Sequence, residues 1–509
     1  MSRQGNPGFL MRLPLFLLIW GVAALSMVIP AAHALVRDNH AASRSFFYAG
    51  LIGLIVVTLI ALATANRPSR HSPIGQLLSL LATFVLLPVY LALPFYDAFP
   101  TTGFLNAYFD MVSAITTTGA ELFADPSRLL PSLHLWRAQV GWMGGLLMWV
   151  AASAILAPMS LGGFEVTTQG EPGRGDEGPM EARADPRRRL VRILRTLAPL
   201  YIGLTAVVWV LLLISGETSL IALCHAMSVM ATSGISPVGG VPNAHSGIVG
   251  EAVMFLFMFF ALSRLTFSSD TVTAGQGRLD KDPEFRIGLL IILAVPTVLF
   301  ARHWIGALDA DAAEDADLAL QALWGSIFTV TSFLTTTGFE SADWANAQMW
   351  SGLGTPGLIL MGLAMIGGGV ATTAGGVKLL RVYALYLNGL RELERLIYPS
   401  SVYAEGTEKS RIQRDGAFIA WIFFMLFALS LAFVATVLSA LGVTFEHALV
   451  LAIATLSTTG PLIETAAETP IRLIELNAAA KGVLCATMIL GRLETLAIVA
   501  LLTPDLWRS

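Results

Sequence analysis

Residues 334–344 read LTTTGFESADW, three threonines and a glycine directly after an apolar stretch. Related strings stand at AITTTGAELF around Gly119, MATSGISPVG around Gly234 and TLSTTGPLIE around Gly460. Backbone that leaves a helix in apolar surroundings bares N–H and C=O groups at high cost, so it is tolerated where it lines a path for water or ions. Glycine reaches backbone angles closed to other residues, which lets successive carbonyls turn toward one axis, and threonine adds a hydroxyl beside them. Four such segments around one axis would present rings of oxygen able to replace the hydration shell of a monovalent cation. A short helix ending at each string would aim its partly negative C-terminus at that cation. A single TTG string is equally a helix C-cap followed by a turn. Four of them, spaced by roughly 105–120 residues, indicate repeated architecture of large period.

The elements that must position these strings are membrane helices. The chain has 509 residues, 55% hydrophobic and 13% charged, with a mean hydropathy of +0.70; an ordinary soluble domain carries about 25% charged residues. Apolar runs long enough to cross a bilayer are expected at 13–36, 46–66, 73–96, 136–161, 190–214, 247–267, 284–302, 351–381, 413–441 and 473–502. Shorter or more polar segments at 102–115, 218–231, 316–334 and 444–456 each end in one of the strings and read as re-entrant helices. The order after the first two helices is long, short, string, long, four times over. The N-terminal apolar run is longer than a signal-peptide core and reads as a retained first helix. The fold class is therefore an all-α polytopic membrane protein. Two extra helices occupy 1–72, and the repeats fall at 73–189, 190–283, 284–412 and 413–509.

Lys and Arg concentrate in the connections that share a side with both termini, which the positive-inside rule places in the cytoplasm. The strings then lie toward the outer side. The glycine-rich, charged 168–189 and the charged 391–414 read as cytoplasmic connections, either docking surfaces or solvated loops. The net charge of −4 and a pI near 6.1 give no basic face for nucleic acid. Cys224 and Cys485 lie far apart without metal-ligand spacing and read as packing residues.

Two further constellations bear on a path. MIGGGVATTAGGVK (365–378) holds Gly367, Gly368, Gly369, Gly375 and Gly376 with Thr372 and Thr373 in the middle of an expected span. At about 1 kcal/mol per glycine relative to alanine, the helix is expected to break there. Arg492 stands inside an apolar stretch, where a charge usually faces an interior or a pathway, and residues i and i+2 do not face each other to pair it with Glu494. Arg264 reads as snorkelling to the cytoplasmic surface. Asp110 and Glu340 add negative charge near the entrance, as caps, solvated groups or a mild attraction for cations. His225 and His447 read as packing or capping residues. Neither HExxH nor GxSxG occurs, which argues against an intramembrane enzyme.

In combination, the four strings with GWMGGLLMWVAASAILAPMSLGG (141–163), GGGVATTAGGVKLLRV (367–382) and GRLETLAIVALL (491–502) resemble the Trk/Ktr/HKT superfamily of potassium transporters, and look closest to the bacterial TrkH-type subunit. The resemblance implies a potassium-binding filter of Thr116, Thr117, Thr118 and Gly119; Thr232, Ser233 and Gly234; Thr335, Thr336, Thr337 and Gly338; and Ser457, Thr458, Thr459 and Gly460. Gly119, rather than serine, goes with potassium preference in the superfamily. The glycine stretch would be an intramembrane gate beneath the filter, with Arg492 facing the path. The resemblance also implies a homodimer in the bacterial inner membrane and a cytosolic nucleotide-binding regulatory subunit of TrkA type. No organic cofactor is expected on this chain, which lacks a nucleotide-binding fingerprint. A channel-like potassium-translocating subunit is the first reading. A secondary transporter coupled to sodium or protons is the alternative, and calls for midplane ionisable residues of which few besides Arg492 are visible.

Overall fold

The computed structural model describes residues 13–64, 73–123, 125–157, 186–263, 282–306, 316–397 and 408–494. Among them every regular element is helical. Three helices come first: α1 (Leu15–Val36), α2 (His40–Thr64) and α3 (Ile74–Ala98). Large apolar side chains such as Val22, Leu25, Ile52 and Leu59 are exposed on α1 and α2. On a chain of this composition those are surfaces for acyl chains rather than for water.

The rest of the described chain carries the four strings, each directly after a helix. Its helices begin with α4 (Phe104–Ile115) and α5 (Pro131–Leu156), then α6 (Pro186–Ile214), α7 (Ser219–Ala231) and α8 (Gly247–Met258). Next come α9 (Pro283–Gly306), α10 (Ala316–Leu334), α11 (Trp344–Ser351), α12 (Pro356–Ile366) and α13 (Leu379–Ile397). Last are α14 (Glu408–Ala440), α15 (Phe445–Leu456) and α16 (Ala478–Leu493). Among the described residues, 8 helices are long and apolar enough to cross a membrane, or 9 if the bent pair α11–α12 counts as one.

Several expected boundaries move for local reasons. Helix α2 starts at His40 because Asn39 Oδ1 accepts the Ala42 N–H at 3.1 Å, an N-cap. Helix α5 starts at Pro131, a favoured first position. Helix α16 starts only at Ala478, where Asn477 Oδ1 accepts the Ala480 N–H at 2.7 Å, after a 3₁₀ turn at Leu473–Glu475. Helix α8 ends at Met258 in a 3₁₀ turn, short of the expected 267. The expected span 351–381 is three pieces: α12, a non-helical stretch 367–378, and α13, with α11 bent against α12 by 117°. Helix α10, 19 residues long, passes on length and apolarity as a span, unlike the other three short helices.

The helices α5, α8, α12 and α16 each pack on two short helices. Helix α5 contacts α4 and α7; α8 contacts α7 and α10; α12 contacts α10 and α15; α16 contacts α15 and α4. That circuit closes on itself. Glycines make the approach possible at the ends of the short helices: a Cβ on Gly144, Gly145 or Gly491 would collide with the backbone of Ile115, Ala231 or Leu456 respectively. The GG and GR motifs of α5 and α16 therefore hold these helices against the last residue before a string.

Candidate functional site

All four strings are the same helix ending. In the first, the Thr117 N–H donates to Ala114 O and the Thr118 N–H to Ser113 O, both at 2.9 Å. The i−3 and i−5 pairing recurs at Thr232 and Ser233, at Thr336 and Thr337, and at Thr458 and Thr459. This is the Schellman motif, whose left-handed position normally takes glycine. Here that position is threonine every time: Thr117, Thr232, Thr336 and Thr458 have φ of 54°, 49°, 57° and 53°. A left-handed L-residue costs roughly 1–2 kcal/mol, and a β-branched one is a true outlier. Strain of that kind, repeated four times, belongs to functional sites.

The strings meet each other. A Cβ on Gly119 would strike the backbone of Ser233; on Gly234, Thr337 O and the Pro461 ring; on Gly338, Pro461; on Gly460, the backbone of Gly119 and Ala120. The four strings thus form a closed circuit of contacts, first to second to third to fourth and back, with Pro461 of the fourth also reaching across to Gly234. The circuit is not fourfold. Gly119, Gly234 and Gly338 have φ of 69°, 65° and 85°, whereas Gly460 lacks a positive φ and donates its N–H to Thr118 O at 2.6 Å.

Hydroxyls brace the strings. Thr116 bonds Thr118 at 2.8 Å, Thr335 bonds Thr337 at 3.0 Å and Ser457 donates to Thr459 at 3.2 Å. In the second string Ala231 has no hydroxyl, and Ser233 bonds Ser228 instead at 3.1 Å. Of the left-handed threonines, Thr117 and Thr458 have buried hydroxyls without a protein partner. A buried hydroxyl normally finds a partner, so these two fit a water or a cation.

The glycine stretch leaves its helix as expected and lies against the strings. Gly367 and Gly376, with φ of 72° and 77°, cross at the base of the loop so closely that side chains there would clash. The loop is held from several sides. The Gly369 N–H donates to Ala261 O at 2.8 Å, the Val370 N–H to Glu284 Oε1 at 2.8 Å and the Gly375 N–H to Thr336 Oγ1 at 2.7 Å. Thr373 Oγ1 donates to Met230 O at 3.3 Å, and Thr372 Oγ1 folds back to Gly369 O at 2.8 Å. Gly368 O accepts the Leu379 N–H at 3.0 Å. Arg492 Nη1 donates to Thr373 O at 2.7 Å, while its Nε and Nη2 are buried without partners. Glu494 pairs with Arg381 at 2.6 Å rather than with Arg492, and the Arg381 guanidinium lies 3.6 Å from the Phe423 ring centroid. Lys378 Nζ donates to Ala374 O.

Beyond the strings stand three carboxyls, Glu121, Glu340 and Glu464. Burial pushes Glu121 up to about 7, against the opposing Arg137 charge; Glu464 and Asp110 raise it further. Glu340 rises to about 7 through burial and then Glu464, and Glu464 rises through burial against Arg137.

The structure corrects the sequence reading at Asp110, which is buried against Arg137 at 3.0 Å and neither caps nor faces solvent. Arg137 is itself only 3% exposed within the helix packing. Ionisable residues near the broken helix are also more numerous than expected: Glu284, Lys378, Arg381 and Glu494 are all buried beside it. Their signal was the same as that of Arg492, charge inside or at the edge of an apolar run, but masked by proximity to loops. His225 donates to or accepts from Ser236 Oγ at 2.9 Å, and His447 bonds Thr469, both packing or capping roles. Cys224 and Cys485 are buried and free. Arg264 and the 168–185 stretch lie outside the described residues.

A family model described as TrkH, cation transport protein, matches residues 46–506. The chain is 28% identical over 489 residues to the Trk system potassium uptake protein TrkH of Salmonella typhimurium, covering 95% of this chain and 96% of that one. It is 30% identical over 426 residues to the protein of the same name from Vibrio parahaemolyticus, covering 82% and 83%. The crystal structure of the potassium transporter TrkH from Vibrio parahaemolyticus superposes with a TM-score of 0.79 at 24% identity, over 98% of this chain and 100% of that one. With a family match across nearly the whole length and the same fold, the chain belongs to the TrkH family of cation transport proteins.

Proposed function

We propose that this chain is the channel-like, potassium-conducting membrane subunit of a Trk uptake system. Potassium would pass through the circuit of strings and be stopped below it by the loop 367–378. The observation that carries the reading is the left-handed threonine at the same place in four helix endings whose strings contact one another in a closed circuit. Each string follows the C-terminal end of α4, α7, α10 or α15, and the partly negative end of each helix dipole favours a cation there. The membrane potential supplies about 2.3 kcal/mol per unit charge per 100 mV, enough to accumulate the ion without chemistry from the protein. Gly119 in the first string supports potassium over sodium.

Arg492 fits a gate in two ways: it tethers the loop through Thr373 O, and its charge opposes a cation below the ring. The buried Glu284, Lys378, Arg381 and Glu494 beside a broken helix are what a coupled transporter would also place there. Glu494 is held by Arg381 and Glu284 by the Val370 N–H, which favours a role in fixing the loop. In planar bilayers the current through purified protein should reverse at the potassium equilibrium potential, whatever the pH and sodium gradients. A reversal potential that follows either gradient would support coupling and remove the channel reading. The assembly we propose is a homodimer in the inner membrane with both termini cytoplasmic. A cytosolic nucleotide-binding subunit of TrkA type would dock near the exposed Arg192 and Arg195 at the start of α6.

A further inference from the structure

Nine residues before the glycine of each string, the short helix carries a buried residue, which in the second and third units bonds the limb that leaves the string. In the second unit His225 bonds Ser236 Oγ at 2.9 Å, and in the third Thr329 Oγ1 accepts the Ser341 N–H at 3.2 Å. In the fourth the position is Leu451, fully buried and apolar. In the first it is Asp110, and the tether there is ionic and has three members. Arg137 Nε of α5 lies 3.0 Å from Asp110 Oδ2, and Nη1 lies 4.0 Å from Glu121 Oε1, two residues past Gly119. One buried guanidinium therefore grips the limb entering the string and the limb leaving it.

The reach of this grip exceeds one string. The Glu121 carboxylate also faces the backbone N–H of Ser236, two residues past Gly234. The fourth string, which has no polar tether of its own, donates the Gly460 N–H to Thr118 O at 2.6 Å. The first string is thus the one against which the fourth is set, and it is fixed by the buried Arg137–Asp110 pair with Glu121 beside it. A buried ion pair of this kind is poor at adding stability but holds a geometry, because removing one partner strands the other.

We propose that Arg137, gripping Asp110 before the first string and Glu121 after it, positions that string and the fourth string bonded to it, and so sets how sharply the ring separates potassium from sodium. Arg137 is a positioning residue; it touches no ion. The proposal rests on the filter reading above.

The test uses the full chain, purified and reconstituted in liposomes, with the sodium-to-potassium permeability ratio taken from bi-ionic reversal potentials. That ratio does not depend on how much protein is active, so a merely structural role would leave it unmoved. Arg137→Gln should raise the ratio roughly tenfold, the scale of about 1.4 kcal/mol in a relative preference. Arg137→Lys, which keeps the charge, should restore it most of the way. Glu121→Gln and Asp110→Asn, near-isosteric changes, should each raise it and decide the matter if Arg137→Gln yields no folded protein. An unchanged ratio in Glu121→Gln and Asp110→Asn overturns the proposal. Gly119→Ser is measured alongside: if it shifts the ratio while the tether variants do not, the positioning role fails alone, and if it too leaves the ratio unchanged, the filter reading fails with it.

Discussion

Replacing Arg492 by glutamine should open the loop. The Arg492 Nη1 to Thr373 O bond is 2.7 Å long, buried, and made by a charged donor. Such bonds contribute about 1.5–3 kcal/mol, and every 1.4 kcal/mol is a factor of ten in an equilibrium. If the loop must leave this contact for ions to pass, losing it raises the open-to-closed ratio by roughly 10-fold to 150-fold. The other loop contacts, from Gly369, Val370 and Gly375, are untouched, so the loop is weakened rather than unfolded. The same substitution removes a positive charge beside the proposed path, and the two effects differ in what they change. A tether alters how long the path is open; a charge alters how much current passes when it is. Single-channel recording in planar bilayers separates them. The structure predicts a large rise in open probability with a smaller change in unitary current. A change in unitary current with closed times unaltered would refute the tether and leave only electrostatic repulsion.

Thr336→Val keeps the shape of the left-handed residue but takes away the acceptor of the Gly375 N–H, leaving a buried donor unpaired at about 1–3 kcal/mol. Closed dwell times should shorten severalfold, and unchanged closed times would show that this contact does not hold the loop. Gly491→Ala would drive a methyl into the Leu456 backbone at the end of α15, at about 1–3 kcal/mol for overpacking. A lower thermal midpoint in detergent is expected, and an unaltered midpoint would mean that α16 yields without cost. Glu121 and Glu340, raised to about 7, are protonated below that pH and charged above it. As the pH beside them rises from 6 to 8 the mouth gains negative charge, and the potassium concentration for half-maximal current should fall. The same sign means that the carboxyls loosen the fold as pH rises through about 7, since the charged form is the one burial disfavours. The Glu121→Gln, Glu340→Gln double variant should lose most of the pH dependence; if it is kept whole, other groups titrate.

Much of the architecture was written in spacing. The four short helices end within a residue or two of where the strings placed them, because a polar string after an apolar run can only be a helix end. Five glycines in a span forced the break at 367 in the same way. Boundaries set by a single side chain were less visible: Asn39 and Asn477 cap α2 and α16, and nothing in hydropathy marks them. The larger omission concerned buried charge. Arg137 and Lys481 stand near the start of their helices, where hydropathy gives no sign of burial, yet Arg137 reaches Asp110 and Lys481 donates to Asn106 Oδ1 at 2.8 Å. Glu251, an acid inside the expected span 247–267, carried the same signal as Arg492 but not its partners: it accepts from Trp324 Nε1, Ser341 Oγ and the Ala342 N–H behind the third string. Pairing across more than 70 residues is decided by how helices pack, and hydropathy does not encode it. The departure of the fourth string was partly legible, since Pro461 sits where the others carry a different residue. Its bond to Thr118 O was not.

The central claim is that the four strings surround the ion's path, and the anomalous scattering of a potassium mimic tests it most directly. Crystals of the protein grown with Rb⁺ or Tl⁺ should show heavy-ion density on the axis enclosed by Gly119, Gly234, Gly338 and Gly460. Density confined to other parts of the molecule, with none among the strings under conditions that support flux, would contradict the account.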